Sequence, residues 1–467
     1  MKKILAILLA GMLTATAFAG CGGSSSKSEE SSSAPKTSDT STKDDSKTDD
    51  SKKDESSKDE SKSDTPTTTD MDADWAPEDL FGDENNISLK VWAPEKAVSL
   101  VKQQCDAFTA HYTNHKISIE VVAQGESDAA TMIVNDPKDS ADVFGFPSDQ
   151  FNRLMDAQVL APVMPDMADA IKATNAEKTV SSATFEFQGY EDLYAFPETN
   201  DNGYYLVYDK RVVTDDDAKT LEGVLAACKK AGKTFVMDAG NGYYACVFAF
   251  TGGVTIDGFE DDGETQKFNN YDEDTAVNTL MAFAKLMKDY KGTFLSKDPA
   301  NISTDFKNGT LGAGVDGSWN SVADKDSLKD NFGASKLPTI KVGDEDRQII
   351  SLFGYKYIGV NAYSAFPNAS QVLAYYLTGQ ACQTQRAQEL GWGPSNTEAQ
   401  NASSGDVILQ AIAAQADNAI PQVNIASTFW SAMGALGSEM YKDSWKPSDA
   451  GATKTLLNKC IASIRDE

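Results

Sequence analysis

Between residues 87 and 147 the chain alternates between two periodicities, and this restricts its fold more than any other feature. ISLKVW (87–92) places apolar residues at every second position, as a half-buried strand does. APEKAVSLVKQQCDAFTAHY follows, with Pro94 suited to a first helical turn and Ala97, Val101, Cys105 and Phe108 on one helical stripe. ISIEVVA (117–123) and ADVFGFP (141–147) are further strands, and Ser148 is placed to cap the helix begun by SDQFNRLMDA. Strand, helix, strand in this order predicts an α/β architecture with a mostly parallel sheet. Ligands of such sheets bind in the loops at the carboxyl ends of the strands.

The same pattern continues. DLYAFPE, GYYLVYDK, NFGASKLPT and SLFGYKYIGVNAY read as strands, and KTFVMDAGNGYYACVFAF reads as strand, turn and helix. The last hundred residues are largely helical, from PNASQVLAYYLTGQ to ATKTLLNKCIASI. From Trp75 to Glu467 the chain offers about 390 residues, more than one core usually supports, so two lobes are expected.

What precedes Trp75 differs in kind. Residues 1–20 have the layout of a secretory signal: two lysines, a short apolar stretch and small residues. AFAGC resembles a bacterial lipobox, with Phe18 where leucine is usual, which implies lipidation at Cys21. Residues 22–70 contain eight lysines, thirteen acids, no aromatic and no Leu, Ile or Val. Such a segment buries too little apolar area to offset its chain entropy, so 21–74 is expected to be a solvated tether.

Losing Lys2 and Lys3 with the signal takes the formal net charge from −28 to −30. That opposes nucleic acid and disfavours an anionic ligand. Cys105, Cys228, Cys246, Cys382 and Cys460 contain no C-x-x-C pair and read as buried thiols. His111 and His115, the only histidines, lack the neighbouring acids or cysteines of a closed metal site. No phosphate-binding loop, dinucleotide fingerprint, H-E-x-x-H or G-x-S-x-G is present.

One stretch ends on an aromatic that reads as a core anchor, an exposed turn residue or a ligand contact. FKNGTLGAGVDGSW (306–319) ends a glycine-rich strand on a tryptophan. An indole face can pack against the C–H face of a sugar while polar groups take the hydroxyl rim. The glycines of GAGVDG are expected to let backbone and ligand approach closely.

With SADVFGFPSDQFNRLMDAQVLAPV, LYAFPE, YYLVYDK, FKNGTLGAGVDGSW, FGASKLPT, GYKYIGVNAYSAFPNASQVLAYYLTG and PQVNIASTFW in order, the chain resembles a family 1 extracellular solute-binding protein of an ABC importer. The likeness is to the maltose and maltodextrin branch and spans nearly all of 87–467. It implies a two-lobed periplasmic-binding-protein-like α/β fold of the class II type, with discontinuous lobes closing over an interlobe cleft. The lobes are expected at 84–199 with 334–395 and at 200–333 with 396–467.

The resemblance also implies site residues. Trp319 matches a family aromatic delivered into the cleft, and Trp430 a further stacking aromatic. Glu95 and Lys96 match an acid–lysine pair that hydrogen-bonds sugar hydroxyls, and Asp149 an acid that accepts from adjacent hydroxyls. Gln150 stands where the maltose proteins carry arginine, which removes a bidentate donor. Phe146 matches an aromatic wall, while FGFP reads equally as core. Asp201 or Asn202 falls near a family acid. Of Tyr243 and Tyr244 one is expected to face the ligand and the other the core, while Trp392 is read as structural.

The function implied is a lipid-anchored receptor on the extracytoplasmic face of the membrane. It would be a monomer that captures malto-oligosaccharide and delivers it to the transmembrane subunits of an ABC permease, with no cofactor and no catalysis. The alternatives are the same fold with another ligand (a different oligosaccharide, ferric ion or a polyamine), a surface glucan adhesin, or a glycoside hydrolase using Glu95 and Asp149.

Overall fold

Ile87, Leu89 and Val91 are buried at every second position of the first strand, and the helix Val98–His111 buries Leu100, Val101, Gln104, Cys105 and Phe108 on one face. These two periodicities are repeated through a computed structural model that describes residues 72–465 except residue 188. The signal segment, Cys21 and the tether up to residue 71 lie outside the described residues.

In chain order the strands of the two large sheets are β1 (Asn86–Ala93), β2 (Lys116–Ala123), β3 (Val143–Pro147), β4 (Phe196–Asn202), β5 (Tyr204–Asp209), β6 (Thr234–Val236), β7 (Phe294–Leu295), β8 (Leu311–Gly317), β9 (Phe332–Ser335), β10 (Ser351–Val360) and β11 (Ala419–Pro421). The first sheet runs β11-β10-β3-β1-β2, with β4 also paired to β10; the second runs β7-β6-β8-β5-β9. The buried apolar residues of this two-lobed α/β fold form two clusters: one wraps the first sheet and continues onto one face of the second, through Tyr205, Val207, Val236 and Phe332, and the other fills the second sheet's opposite face. Both sheets are assembled from distant parts of the chain.

The sheets are mixed: the expected parallel pairing holds for β1 to β3, and also for β10 with β11 and for β6 with β7 and β8, but reversed strands enter both sheets. β1 pairs in parallel with β2 and β3, but β10 enters antiparallel to both β3 and β4. In the second sheet β5 runs antiparallel to β8 and β9. A helical crossover makes its two flanking strands parallel, whereas a strand arriving from elsewhere in the chain is free to enter reversed. β10 is buried along its whole length.

The expected tether of 21–74 is corrected at its end, because residues 72–74 are docked on the fold. The Tyr375 hydroxyl donates to the Asp72 carbonyl at 2.8 Å, and the Ala381 amide donates to Asp74 Oδ1 at 2.8 Å. Trp75 is stacked between His111, at 3.8 Å, and Tyr376, at 4.4 Å. His115 stacks on Phe81 and its Nδ1 lies 2.9 Å from the Glu84 carbonyl oxygen, so the two histidines do not converge. The five cysteines are all buried free thiols.

Candidate functional site

A cleft of about 770 Å³ opens at the ends of strands from both sheets. On the first-sheet side, β1 leads into Glu95 and Lys96, and β3 leads into Asp149 and Gln150. Ser148 corrects an expectation here, since it does not cap the following turn. Its hydroxyl donates to the Gln422 carbonyl at 2.6 Å and accepts from the Tyr355 amide at 3.2 Å, which ties the end of β3 to two other chain segments.

Asp149 is held by amides. Gln150 Nε2 donates to its Oδ2 at 2.6 Å and Gln422 Nε2 to its Oδ1 at 2.8 Å. Burial pushes its carboxyl up to about 6, against the pull of these donors. Gln150, standing where an arginine was the implied residue, turns its amide onto its neighbour.

The opposite wall is aromatic. β8 ends in the turn that carries Trp319. A Cβ at Gly317 would lie 2.2 Å from the indole, so glycine is required there for the ring to fold back over its own turn. Gly312 and Gly314 serve packing instead: added Cβ atoms would meet Cys228 and Ile302. The expectation that these glycines admit ligand is therefore corrected.

Tyr243 stands between the two tryptophans, with ring centroids 5.9 Å from Trp319 and 6.3 Å from Trp430. The Asn241 side chain caps its short helix by accepting from the Tyr243 amide at 3.0 Å. Gly242 admits the Trp430 backbone: a Cβ there would lie 2.0 Å from the Trp430 carbonyl oxygen. Trp319 and Trp430 are both half-buried. Tyr243 is also half-buried and Tyr244 almost fully so, yet both reach the cleft.

Two lysines occupy this space. Lys96 Nζ donates to Asn320 Oδ1 at 2.6 Å and lies 3.5 Å from the Trp319 carbonyl oxygen, reaching the tryptophan turn from the end of β1. Lys356, from β10, pairs with Glu126 at 2.7 Å and lies 4.8 Å from the Trp392 ring centroid. Burial pulls Lys356 down, but the carboxylates of Glu126, Asp201 and Glu198 outweigh it and hold the ammonium charged. The other Glu126 oxygen, Oε1, is buried and has no hydrogen-bond partner.

Of the eleven implied ligand residues, nine line the cleft. Phe146 does not: it is fully buried in β3 against Phe144 and Tyr357. Nor does Asp201, whose Oδ2 accepts from the Gly393 amide at 2.6 Å on the far side of β4, while its neighbour Asn202 faces the cleft. Sequence reasoning missed Glu126, Lys356 and Gln422, and it assigned Trp392 to structure although that ring also borders the cleft. Lys356 was findable, since it is the one charge in the otherwise apolar run SLFGYKYIGV.

Two α/β lobes and an aromatic-walled cleft are the plan of a protein that takes a small solute between its lobes. The model of the family described as bacterial extracellular solute-binding protein matches residues 103–420, and the chain belongs to that family. Solved structures share the fold. One solved with acarbose is 25% identical, with a TM-score of 0.72 over 81% of this chain and 98% of that one. A maltodextrin-binding protein from L. casei BL23, without ligand, is 24% identical with a TM-score of 0.68, covering 81% of this chain and 98% of that one. A protein from Streptococcus pneumoniae in complex with maltopentaose is 20% identical with a TM-score of 0.66, covering 81% and 99%. No curated protein matches the chain in sequence. Among the described residues no helix is long and apolar enough to cross a membrane.

Proposed function

We propose that the chain is a lipid-anchored receptor of an ABC importer that captures malto-oligosaccharide and hands it to the permease. The observation that carries this is the row Trp319, Tyr243 and Trp430, set opposite neutral amides and carboxylates in one cleft. Aromatic faces pack against pyranose C–H groups, and the hydroxyl rim needs acceptors and donors around it. Asp149, Asn202, Gln150 and Lys96 supply both. The cleft holds four acids, Glu95, Glu126, Asp149 and Asp298, against two lysines that already have partners, which suits an uncharged polyol better than an anion. Solved relatives of the same fold hold acarbose and maltopentaose.

Closure follows from contacts with both lobes, because a ligand shifts an equilibrium only by its differential affinity for the two states. We assign 84–199 with 334–395 to one lobe and 200–333 with 396–467 to the other. Membership of β1 to β4 and β10 in the first sheet and of β5 to β9 in the second supports that division, while β11 sits at the edge of the first sheet. Cys21 anchors the receptor, as a monomer, outside the membrane, and the Ser/Lys/Asp-rich segment after it serves as the tether. The residues perform no bond-breaking step and need no cofactor.

Calorimetric titration of the mature protein with maltose to maltohexaose tests the ligand, with xylo- and galacto-oligosaccharides and spermidine alongside. Saturable heat with the α-glucans alone is expected. Heat with another compound and none with α-glucans would overturn the ligand assignment.

A further inference from the structure

A second cavity, of about 760 Å³, lies on the reverse side of the same chain crossings. Adjacent residues divide between the two spaces. Asn202 faces the front cleft and Asp201 the rear; Lys356 faces the front and Tyr355 the rear; Trp392 faces the front and Gly393 the rear; Gln422 faces the front, with Pro421 and Val423 at the rear. Alternation of side chains along extended backbone produces this division. The partition between the cavities is one chain thick.

The rear cavity has the makings of a small-molecule site. Its floor is aromatic and aliphatic: Phe353 and Tyr355, two residues apart on one face of β10, meet Leu409 and Ile412 from the helix Val407–Ala416. Its polar lining is mostly neutral, from Asn200, Gln400, Gln410, Ser403 and Ser404. The charges on it nearly cancel at the mouth, where Glu177 and Lys178 are both exposed, and the buried Asp201 carboxylate is already engaged by the Gly393 amide. Ligand pockets fall in this size range and combine an apolar lining with a few placed polar groups.

We propose that the rear cavity binds an uncharged amphipathic small molecule, with an apolar or aromatic face laid on Phe353 and Tyr355 and a hydrogen-bonding edge toward the Asn200 and Gln400 side. The assignment rests on the rear lining alone and does not depend on which solute the front cleft takes.

The test is fluorescence titration of the mature protein with N-phenyl-1-naphthylamine, a neutral dye that brightens in apolar surroundings. Saturable binding is expected, weakened at least tenfold by Ala413→Trp, which fills the cavity from an exposed position. Leu409→Asp, which puts a charge on the wall and fills none of the cavity, should weaken it by a similar factor, so a folding failure in one variant leaves the other to decide. Absence of saturable binding would overturn the proposal, as would equal binding by wild type and both variants. Because no sugar enters the titration, its failure is distinguishable from failure of the malto-oligosaccharide reading.

Discussion

Trp319 keeps its position because Gly317 has no side chain: a Cβ there would lie inside the indole's contact distance, at 2.2 Å. Gly317→Ala is therefore expected to turn the ring out of the aromatic row, weaken sugar binding at least tenfold and destabilise the protein by about 1–3 kcal/mol. Calorimetry and thermal denaturation check both. Asp149 supplies a pH dependence with a definite sign. Its carboxyl is pushed up to about 6 by burial, so the ionised acceptor that sugar hydroxyls need disappears as pH falls through 6. Affinity should drop by about tenfold between pH 7.5 and pH 5, and Asp149→Asn, already neutral, should show a flatter profile. That Trp319 and Asp149 border one cleft was legible in the sequence through a resemblance. Phe146 and Asp201 were not separable from cleft residues, because neighbouring positions on a strand face opposite ways and a one-residue offset moves a side chain to the other surface.

At the scale of elements, β8 and the helix Ser321–Leu328 bury two acids side by side under the tryptophan turn. Asp316 and Asp324 are both 0% exposed. Tyr205 donates to Asp324 Oδ2 at 3.1 Å, and Asn320 Nδ2 and the Gly317 amide donate to Asp316 Oδ1 at 2.8 and 2.7 Å. One oxygen of each acid has no other partner, which suits a proton shared between them. Burial raises both carboxyls, and for Asp324 the neighbouring Asp316 charge adds to it. The folded state thus keeps a proton that the unfolded chain releases near pH 4. The pair's contribution to stability is fully present below that pH and falls as pH rises above it.

Asp324→Asn mimics the protonated form, with its amide free to donate to Asp316. It should raise the melting temperature at pH 8 by about 2 °C or more and change it little near pH 4. A gain that is equal at both pH values would refute the shared proton. Most elements were legible from the alternation of periods 2 and 3.6. Their pairing was less so, since the reversed entry of β10 and β5 into their sheets depends on long-range returns of the chain that local patterns do not record.

For the whole molecule, the one-chain-thick partition ties the two cavities to one motion. Under the proposed lobe closure, rotation that narrows the front cleft would spread the rear, so an occupant of one space would change the affinity of the other by the same factor in both directions. With the dye saturating the rear cavity, the dissociation constant for maltotetraose should shift at least threefold, and maltotetraose should shift the dye's by an equal ratio. Independent constants would separate the cavities mechanically. The charge balance and the low-complexity N-terminal segment were readable at this scale from composition. The rear cavity was not, because it is built from residues whose neighbours in sequence carried the apparent signal.

The central claim is that the row of Trp319, Tyr243 and Trp430 is where an α-glucan lies. Its most direct test is a tryptophan-fluorescence titration of the mature protein with maltotetraose, repeated on Trp319→Ala. Saturable quenching or a spectral shift in the wild type is predicted, with the midpoint moved at least tenfold by the substitution, or about 1.4 kcal/mol. No response in the wild type, or a midpoint that Trp319→Ala leaves unmoved, would contradict the account.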